Sequence, residues 1–328
     1  MNTSSHEENA VRRQEGTPVH ADMGPVAVLG AGTIGAGWAA FFALQGLEVR
    51  VFDTGPQAQD QLDTVMARAR PVLQAQGLLA ARPTVPLLYV EPGPAVAGAA
   101  HVQEALPERL ELKHHVYALV EASLDEQCVI ASSSSGIPPS ALQEGLRHPE
   151  RLLIAHPCNP PYLMPLVEIS GGRQTAPWAL HAADAFYREL GKQTVILRRE
   201  ITGHLVNRLQ AALWREAVHL VAEGYATVED VDRSVTEGLG ARWAVCGPHR
   251  IFHLAGGEAG MAGFLDKLGE PVEQWWASLG RPTLDEATRK ALVDGMADAA
   301  HGREPAELAQ ERDRAVLAML AAKKRGEI

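Results

Sequence analysis

VAVLGAGTIGAGWAAFFALQGLEVRVFD, residues 26–53, decides the fold of this chain. Val26 to Leu29 is an apolar run suited to a buried strand. It breaks at Gly30-Ala31-Gly32-Thr33-Ile34-Gly35, a G-x-G-x-x-G turn. A helical stretch follows to about Leu44, Gly46 can stop it, and a second strand, Glu48 to Phe52, ends at Asp53. Strand, glycine turn, helix, strand and acid is the order of a dinucleotide-binding βαβ unit. Gly30 permits the tight turn, Gly32 lets backbone N–H groups approach a pyrophosphate, and Gly35 lets the helix pack on the strand. Ala31, Thr33 and Ile34 complete a helix start whose dipole favours negative charge. Asp53 can accept hydrogen bonds from the adenosine ribose hydroxyls and repels a 2′-phosphate. No arginine follows in Thr54-Gly55-Pro56-Gln57, so the expected cofactor is NAD rather than NADP.

Outward from this unit, the 328 residues predict two domains, and 46% hydrophobic content with mixed charge reads as a soluble globular chain. A net charge of −10 argues against nucleic acid or an anionic membrane as partner, while leaving room for a locally basic pocket. Cys128, Cys158 and Cys246 are scattered, with no C-x-x-C pair, which predicts a reducing, cytoplasmic setting and no disulfide framework. Residues 1–23 read as a disordered polar leader without the apolar stretch of a signal peptide. No apolar run reaches the length of a membrane span.

The expected fold class is α/β: a Rossmann-like dinucleotide-binding domain, residues 24–202, followed by an all-helical C-terminal domain, residues 203–328. After Asp53 a helix is expected over 55–77. Strands are expected over Leu87–Val90, His101–Ala105, Cys128–Ala131, Arg151–Ala155, Leu166–Ser170 and Thr194–Leu197. Helices separate several of them, at Pro94–Ala99, Glu108–Glu121, Ser140–Gly145 and Ala176–Leu190. Beyond Gly203 the pattern is helical throughout: Leu205–Glu223, a Thr227-capped start to Val231–Glu237, Trp243–Leu254, Gly260–Leu268, Val272–Leu279, Leu284–Ala300 and Pro305–Lys323.

Ligands of such sheets bind beyond the carboxyl ends of the strands. His156 follows the strand RLLIA and Ser135 follows CVIAS. Glu168 lies within LVEIS, and Asn207 stands at the start of the first long helix. Alcohol oxidation needs a base active near neutral pH, and a histidine serves best when a carboxylate fixes its tautomer. His156 and Glu168 form such a pair if their strands are neighbours, and Ser135 and Asn207 can then bond the reacting oxygen. Each residue alone has a plainer reading: a turn histidine before proline, a serine-rich loop, a helix-capping asparagine. Only a glutamate in an apolar strand demands a partner.

Together these residues carry a resemblance. From Val26 to about Leu254 the chain resembles the L-3-hydroxyacyl-CoA dehydrogenase family, in VAVLGAGTIGAGWA, EALPERLELK, ASSSSG, HPCNPPYLMPLVEISGG and GHLVNRL. The resemblance implies that His156 is the catalytic base, Glu168 its partner, and Ser135 and Asn207 the groups that hold the substrate oxygen. It places Glu108, Lys113, Ser135 and Asn159 at the nicotinamide end of NAD. It also implies hydride transfer from C3 of a 3-hydroxy substrate and a homodimer formed through the helical domain.

The substrate tail differs from the acyl-CoA pattern. The family's lysine-rich hairpin after the second strand corresponds here to residues 57–86, which hold Arg68, Arg70 and Arg82 and no lysine. The segment GLGARWAVCGPHRIFHLAGGEAGM resembles the branch acting on free short hydroxy acids. L-carnitine is the leading substrate, with L-gulonate or a short acyl-CoA as alternatives. Arg242 is the candidate for the carboxylate, ahead of Arg250 and Arg208. Trp243 and Phe252 are aromatic candidates for a quaternary ammonium, with Tyr162 and Trp214 behind them. Each has a structural reading as well, a solvated arginine or a core aromatic. His249 and His253 have zinc-like spacing, but Arg250 stands where H-E-x-x-H needs glutamate, and no metal is expected. A reading from a different class is a non-catalytic, NAD-bound structural protein.

Overall fold

The computed structural model describes residues 23–327. Apart from Met23, the expected leader lies outside the described residues. The chain divides into two compact units, the first ending at Asn207 and the second beginning at Arg208.

The first unit is an eight-stranded sheet in the order β3-β2-β1-β4-β5-β6-β7-β8. Its strands are β1 (Val26–Leu29), β2 (Val49–Phe52), β3 (Leu87–Tyr89), β4 (His101–Glu104), β5 (Val129–Ser132), β6 (Leu152–Pro157), β7 (Leu166–Gly171) and β8 (Gln193–Ile196). Helices α1 (Thr33–Leu44), α2 (Ala58–Gln76), α3 (Pro92–Val96), α4 (Leu110–Val120), α5 (Pro139–Leu142) and α6 (Pro177–Glu189) lie between them. Strands β1 to β6 run parallel; β7 pairs antiparallel with β6 and parallel with β8. This is the expected Rossmann-like arrangement, with β1 and its glycine turn next to the point where the strand order reverses.

The sheet is covered on both faces, as a parallel sheet must be. Ala27 and Leu29 pack with Val102, Ile130, Val116, Tyr117 and Val120 in one buried cluster. Alternation sends Val26 and Val28 to the other face. There α1 buries every residue from Gly35 to Leu44, and Trp38 stacks on Phe42 at 5.2 Å. Helix α1 is therefore apolar all round, the mark of a helix enclosed by its own domain.

One boundary differs from expectation in a way that matters for the site. Strand β6 continues through Pro157, so His156 lies inside a strand rather than beyond it. Proline can end β6 because a terminal strand residue can dispense with a ladder N–H. Glu168 lies within β7 as expected, as its third residue, and β7 runs against the parallel set.

The second unit continues α7 (Val206–Ala222) and contains α8 (Val228–Arg233), a π-helical segment Ser234–Gly240, α9 (Ala241–Trp243), α10 (Pro248–Ala255), α11 (Gly260–Ser278), α12 (Glu286–Ala299) and α13 (Pro305–Arg325). Thr227 caps α8 by accepting the Asp230 N–H at 3.1 Å. The expected helix Trp243–Leu254 is broken over residues 244–247 and restarts at Pro248, whose fixed φ suits a first helical turn. The two expected helices Gly260–Leu268 and Val272–Leu279 are one. Pro271 removes a single N–H, and flanking Glu270, Glu273 and Gln274 favour helix enough to carry it through. No helix among the described residues is long and apolar enough to cross a membrane.

Candidate active site

His156 and Glu168 are direct register partners across the β6–β7 pair. Both are buried, His156 at 5% and Glu168 at 1% relative exposure. His156 Nδ1 lies 3.0 Å from Glu168 Oε2. An ionised carboxylate only accepts, so Nδ1 carries the proton and Nε2 presents a lone pair. Glu168 Oε1 accepts the N–H groups of Leu205 at 2.8 Å and Val206 at 3.1 Å. Burial alone pushes the Glu168 carboxyl up; the His156 hydrogen bond, the two amides and the His156 charge overcome it and hold the pKa below the usual range. The arrangement is a buried base with one tautomer selected.

Two donors converge on the free nitrogen. Ser135 Oγ, on the exposed loop after β5, is 3.0 Å from His156 Nε2. Asn207 Nδ2, in the first turn of α7, is 3.5 Å from it. A hydroxyl group brought to Nε2 would meet a base and two donors at one point, which is the geometry for removing its proton while holding its oxygen.

The glycine turn has the shape a dinucleotide requires. Gly30 has φ +101°, and a Cβ there would lie 2.7 Å from the Ala105 carbonyl oxygen. A Cβ at Gly35 would lie 1.9 Å from the Gly30 carbonyl oxygen, so both glycines are sterically required. A Cβ at Gly32 would meet nothing within 4 Å, which leaves an open cradle at the start of α1. No side chain caps α1, so the N–H groups of its first turn, at Thr33 and Ile34, are available to an anion. Asp53 accepts the Ala31 N–H at 2.6 Å and the Gly55 N–H at 2.7 Å, and its remaining lone pairs can take hydroxyl donors. The residues present fit a pyrophosphate with a ribose beside it.

Glu108, exposed, and Lys113, buried, adjoin the loop that carries Ser134 and Ser135. Glu108 accepts from Ser134 Oγ at 2.5 Å and from the Gly136 N–H at 2.7 Å. Burial would raise its carboxyl, but these bonds, the Lys113 charge and the Ile137 N–H hold it below the ordinary range. Lys113 is buried, with Nζ 2.6 Å from Glu104 Oε1, 3.2 Å from the Leu106 carbonyl and 3.6 Å from Glu108 Oε2. Glu104 also accepts from Tyr117 Oη at 2.7 Å, Ser132 Oγ at 2.6 Å and the Leu106 N–H at 2.6 Å. Asn159 is exposed on the connection after β6. Lys192 braces that connection, donating to the carbonyls of Pro161 and Met164 with its ammonium 3.9 Å above the Phe41 ring. Burial pulls the Lys192 pKa down to about 7.

Glu104, Lys192 and His204 were not singled out from the sequence. Arg242 and Trp243 belong to α9 and Phe252 to α10, all three exposed in the second unit; the Phe252 ring lies 4.7 Å from that of Phe264.

The family model described as 3-hydroxyacyl-CoA dehydrogenase, NAD binding domain, matches residues 25–201, and that described as its C-terminal domain matches residues 203–294. L-carnitine dehydrogenase of Streptomyces griseus is 47% identical over 92% of this chain and 90% of its own length. The L-carnitine dehydrogenase of a Pseudomonas species is 42% identical over 90% of this chain and 92% of its own. Among solved structures, an NAD-dependent dismutase, 5-formyl-3-hydroxy-2-methylpyridine 4-carboxylic acid 5-dehydrogenase, matches with a TM-score of 0.77 and 30% identity over 90% of this chain and 96% of that one.

Proposed function

Since the chain belongs to the 3-hydroxyacyl-CoA dehydrogenase family, we propose that it oxidises the 3-hydroxyl of L-carnitine to the 3-keto acid with NAD. The observation that carries the reaction is the His156–Glu168 pair with its lone pair met by Ser135 and Asn207. The substrate follows from the relatives, which are L-carnitine dehydrogenases over nearly their full length.

NAD, when bound, supplies the hydride acceptor. Gly30 to Gly35 hold its pyrophosphate and Asp53 its adenosine ribose, while Ser135, Asn159 and Glu108 line the nicotinamide end, with Lys113 acting by fixing Glu108. His156 Nε2 takes the hydroxyl proton. Glu168 holds Nδ1–H in place and stabilises the imidazolium. Ser135 and Asn207 turn their donors to the substrate oxygen. Arg242 meets the carboxylate, and Trp243 and Phe252 supply aromatic faces for the trimethylammonium group. Residues 24–202 form the NAD domain and 203–328 the substrate and dimerisation domain. A homodimer is supported by apolar side chains exposed on the helical unit, Trp275 and Trp276 among them. Three free cysteines suit a reducing cytoplasm.

The test is His156→Ala. Turnover of L-carnitine should fall by about 10³-fold or more while the NAD dissociation constant stays at the wild-type value. Unchanged turnover would remove His156 from the mechanism.

A further inference from the structure

The proton chemistry above leaves unused a buried imidazole that touches the catalytic histidine. His204 is 2% exposed, and its ring stacks on that of His156 with centroids 4.7 Å apart and planes at 30°. We propose that His204 is the positioning residue of the catalytic pair: its ring braces His156, and its left-handed backbone delivers the two amides that hold Glu168. The inference rests on the function proposed above.

The sheet fixes where His156 and Glu168 start, not how the imidazole is turned. The terminal torsion of histidine is broad, so the ring plane needs contacts of its own. Glu168 fixes Nδ1, and the face of His204 limits the tilt of the ring. His204 is itself held, with Nε2 3.0 Å from the Ser134 carbonyl oxygen. A carbonyl only accepts, so Nε2 carries the hydrogen, and the bond ties His204 to the loop that bears Ser135.

The backbone has the same purpose. Gly203 has φ +78° and His204 φ +50°. A left-handed histidine is strained, and such strain persists where surrounding contacts over-determine it. The next two N–H groups, of Leu205 and Val206, are those that bond Glu168 Oε1 at 2.8 and 3.1 Å. His204 thus bonds the loop that bears Ser135, stacks on the His156 ring and directly precedes the two amides that hold the Glu168 carboxylate.

For a brace beside an imidazolium, a neutral ring is required. Burial pushes the His204 pKa down, the Ser134 carbonyl pulls it up, the His156 charge pushes it down, and Glu168 and Glu108 pull it up; the net direction is down. His204 therefore stays neutral while His156 takes up its proton.

Two substitutions separate bracing from simple packing. His204→Asn tolerates the left-handed backbone and removes the ring, whereas His204→Phe keeps a ring face and loses the Ser134 bond. With L-carnitine and NAD, His204→Asn should lower kcat on the order of 10- to 100-fold. Its solvent deuterium isotope effect on kcat/KM should rise, with NAD affinity and Tm unchanged. His204→Phe should recover at least half of that loss on a logarithmic scale. A purely packing role would lower Tm and leave kcat per active site and the isotope effect unmoved, which would overturn the proposal. A His204→Phe enzyme no better than His204→Asn would overturn it too. If His204→Asn does not fold, His204→Gly, which relaxes the turn, takes its place. A wild-type protein inactive on L-carnitine would instead reject the substrate assignment, and the same comparison would run on the hydroxy acid it does oxidise.

Discussion

Replacing Glu168 with glutamine removes one charge and keeps the shape. The two backbone donors at 2.8 and 3.1 Å will hold the amide oxygen, so the amide NH2 group must face His156 Nδ1. A donor facing Nδ1 forces that nitrogen to accept, and the ring proton moves to Nε2, where the lone pair is needed. The imidazolium also loses its counter-charge. Glu168 Oε2 sits 3.0 Å from Nδ1, and the charge centres are slightly farther apart. At an effective dielectric of about 20, a unit charge about 4 Å away is worth about 4 kcal/mol, or about 10³-fold in rate. In a Ser-His-Asp arrangement the corresponding change costs about 10⁴-fold by the tautomer effect. Glu168→Gln should therefore lower kcat and kcat/KM together by about 10³- to 10⁴-fold. Steady-state NADH absorbance with L-carnitine measures both, and NAD affinity should hold because Glu168 lies four strands from β1. A Glu168→Gln enzyme within about tenfold of the wild type would refute both the charge and the tautomer argument.

Two further outcomes follow from the same coordinates. Gly32→Ala places a methyl group in open space and Gly35→Ala drives one into the Gly30 carbonyl. The first should fold with an unchanged Tm and bind NAD at least about tenfold more weakly, and the second should fail by thermal melt; equal behaviour of the two by Tm and NAD titration would contradict the cradle. Burial lowers the His101 pKa to about 3. An unfolded histidine protonates below about pH 6.5, so the unfolded chain binds the extra proton and stability is lost as pH falls from about 6.5 towards about 3. Between pH 7 and about 5 the wild type should lose about 2 kcal/mol more than His101→Phe in urea unfolding, and parallel pH slopes would contradict this.

The glycine turn was legible because its steric demands are written as residue types: Gly30 and Gly35 admit no side chain, and the acid falls at Asp53. His156 and Glu168 were legible as chemistry, and as a pair through the family resemblance; residue types alone left the pairing conditional, because they do not give strand direction. A clue was present in the short connection 158–165, since parallel neighbours need a longer crossover. His204 was hidden because a left-handed φ leaves no mark on a histidine. Lys113 was legible only through the family resemblance, and its pairing with Glu104 was hidden, because only tertiary packing shows that the two charges neutralise each other in the interior. In the helical unit, Pro248 begins a helix and Pro271 sits inside one. The same residue type carries opposite meanings, decided by which N–H the helix can lose.

NADH formation from a panel that holds L-carnitine, L-gulonate and a short-chain L-3-hydroxyacyl-CoA, with one enzyme preparation, decides the substrate. L-carnitine should give the highest kcat/KM of the panel, and NADP should not replace NAD. Turnover of the acyl-CoA with none of L-carnitine would contradict the substrate assignment.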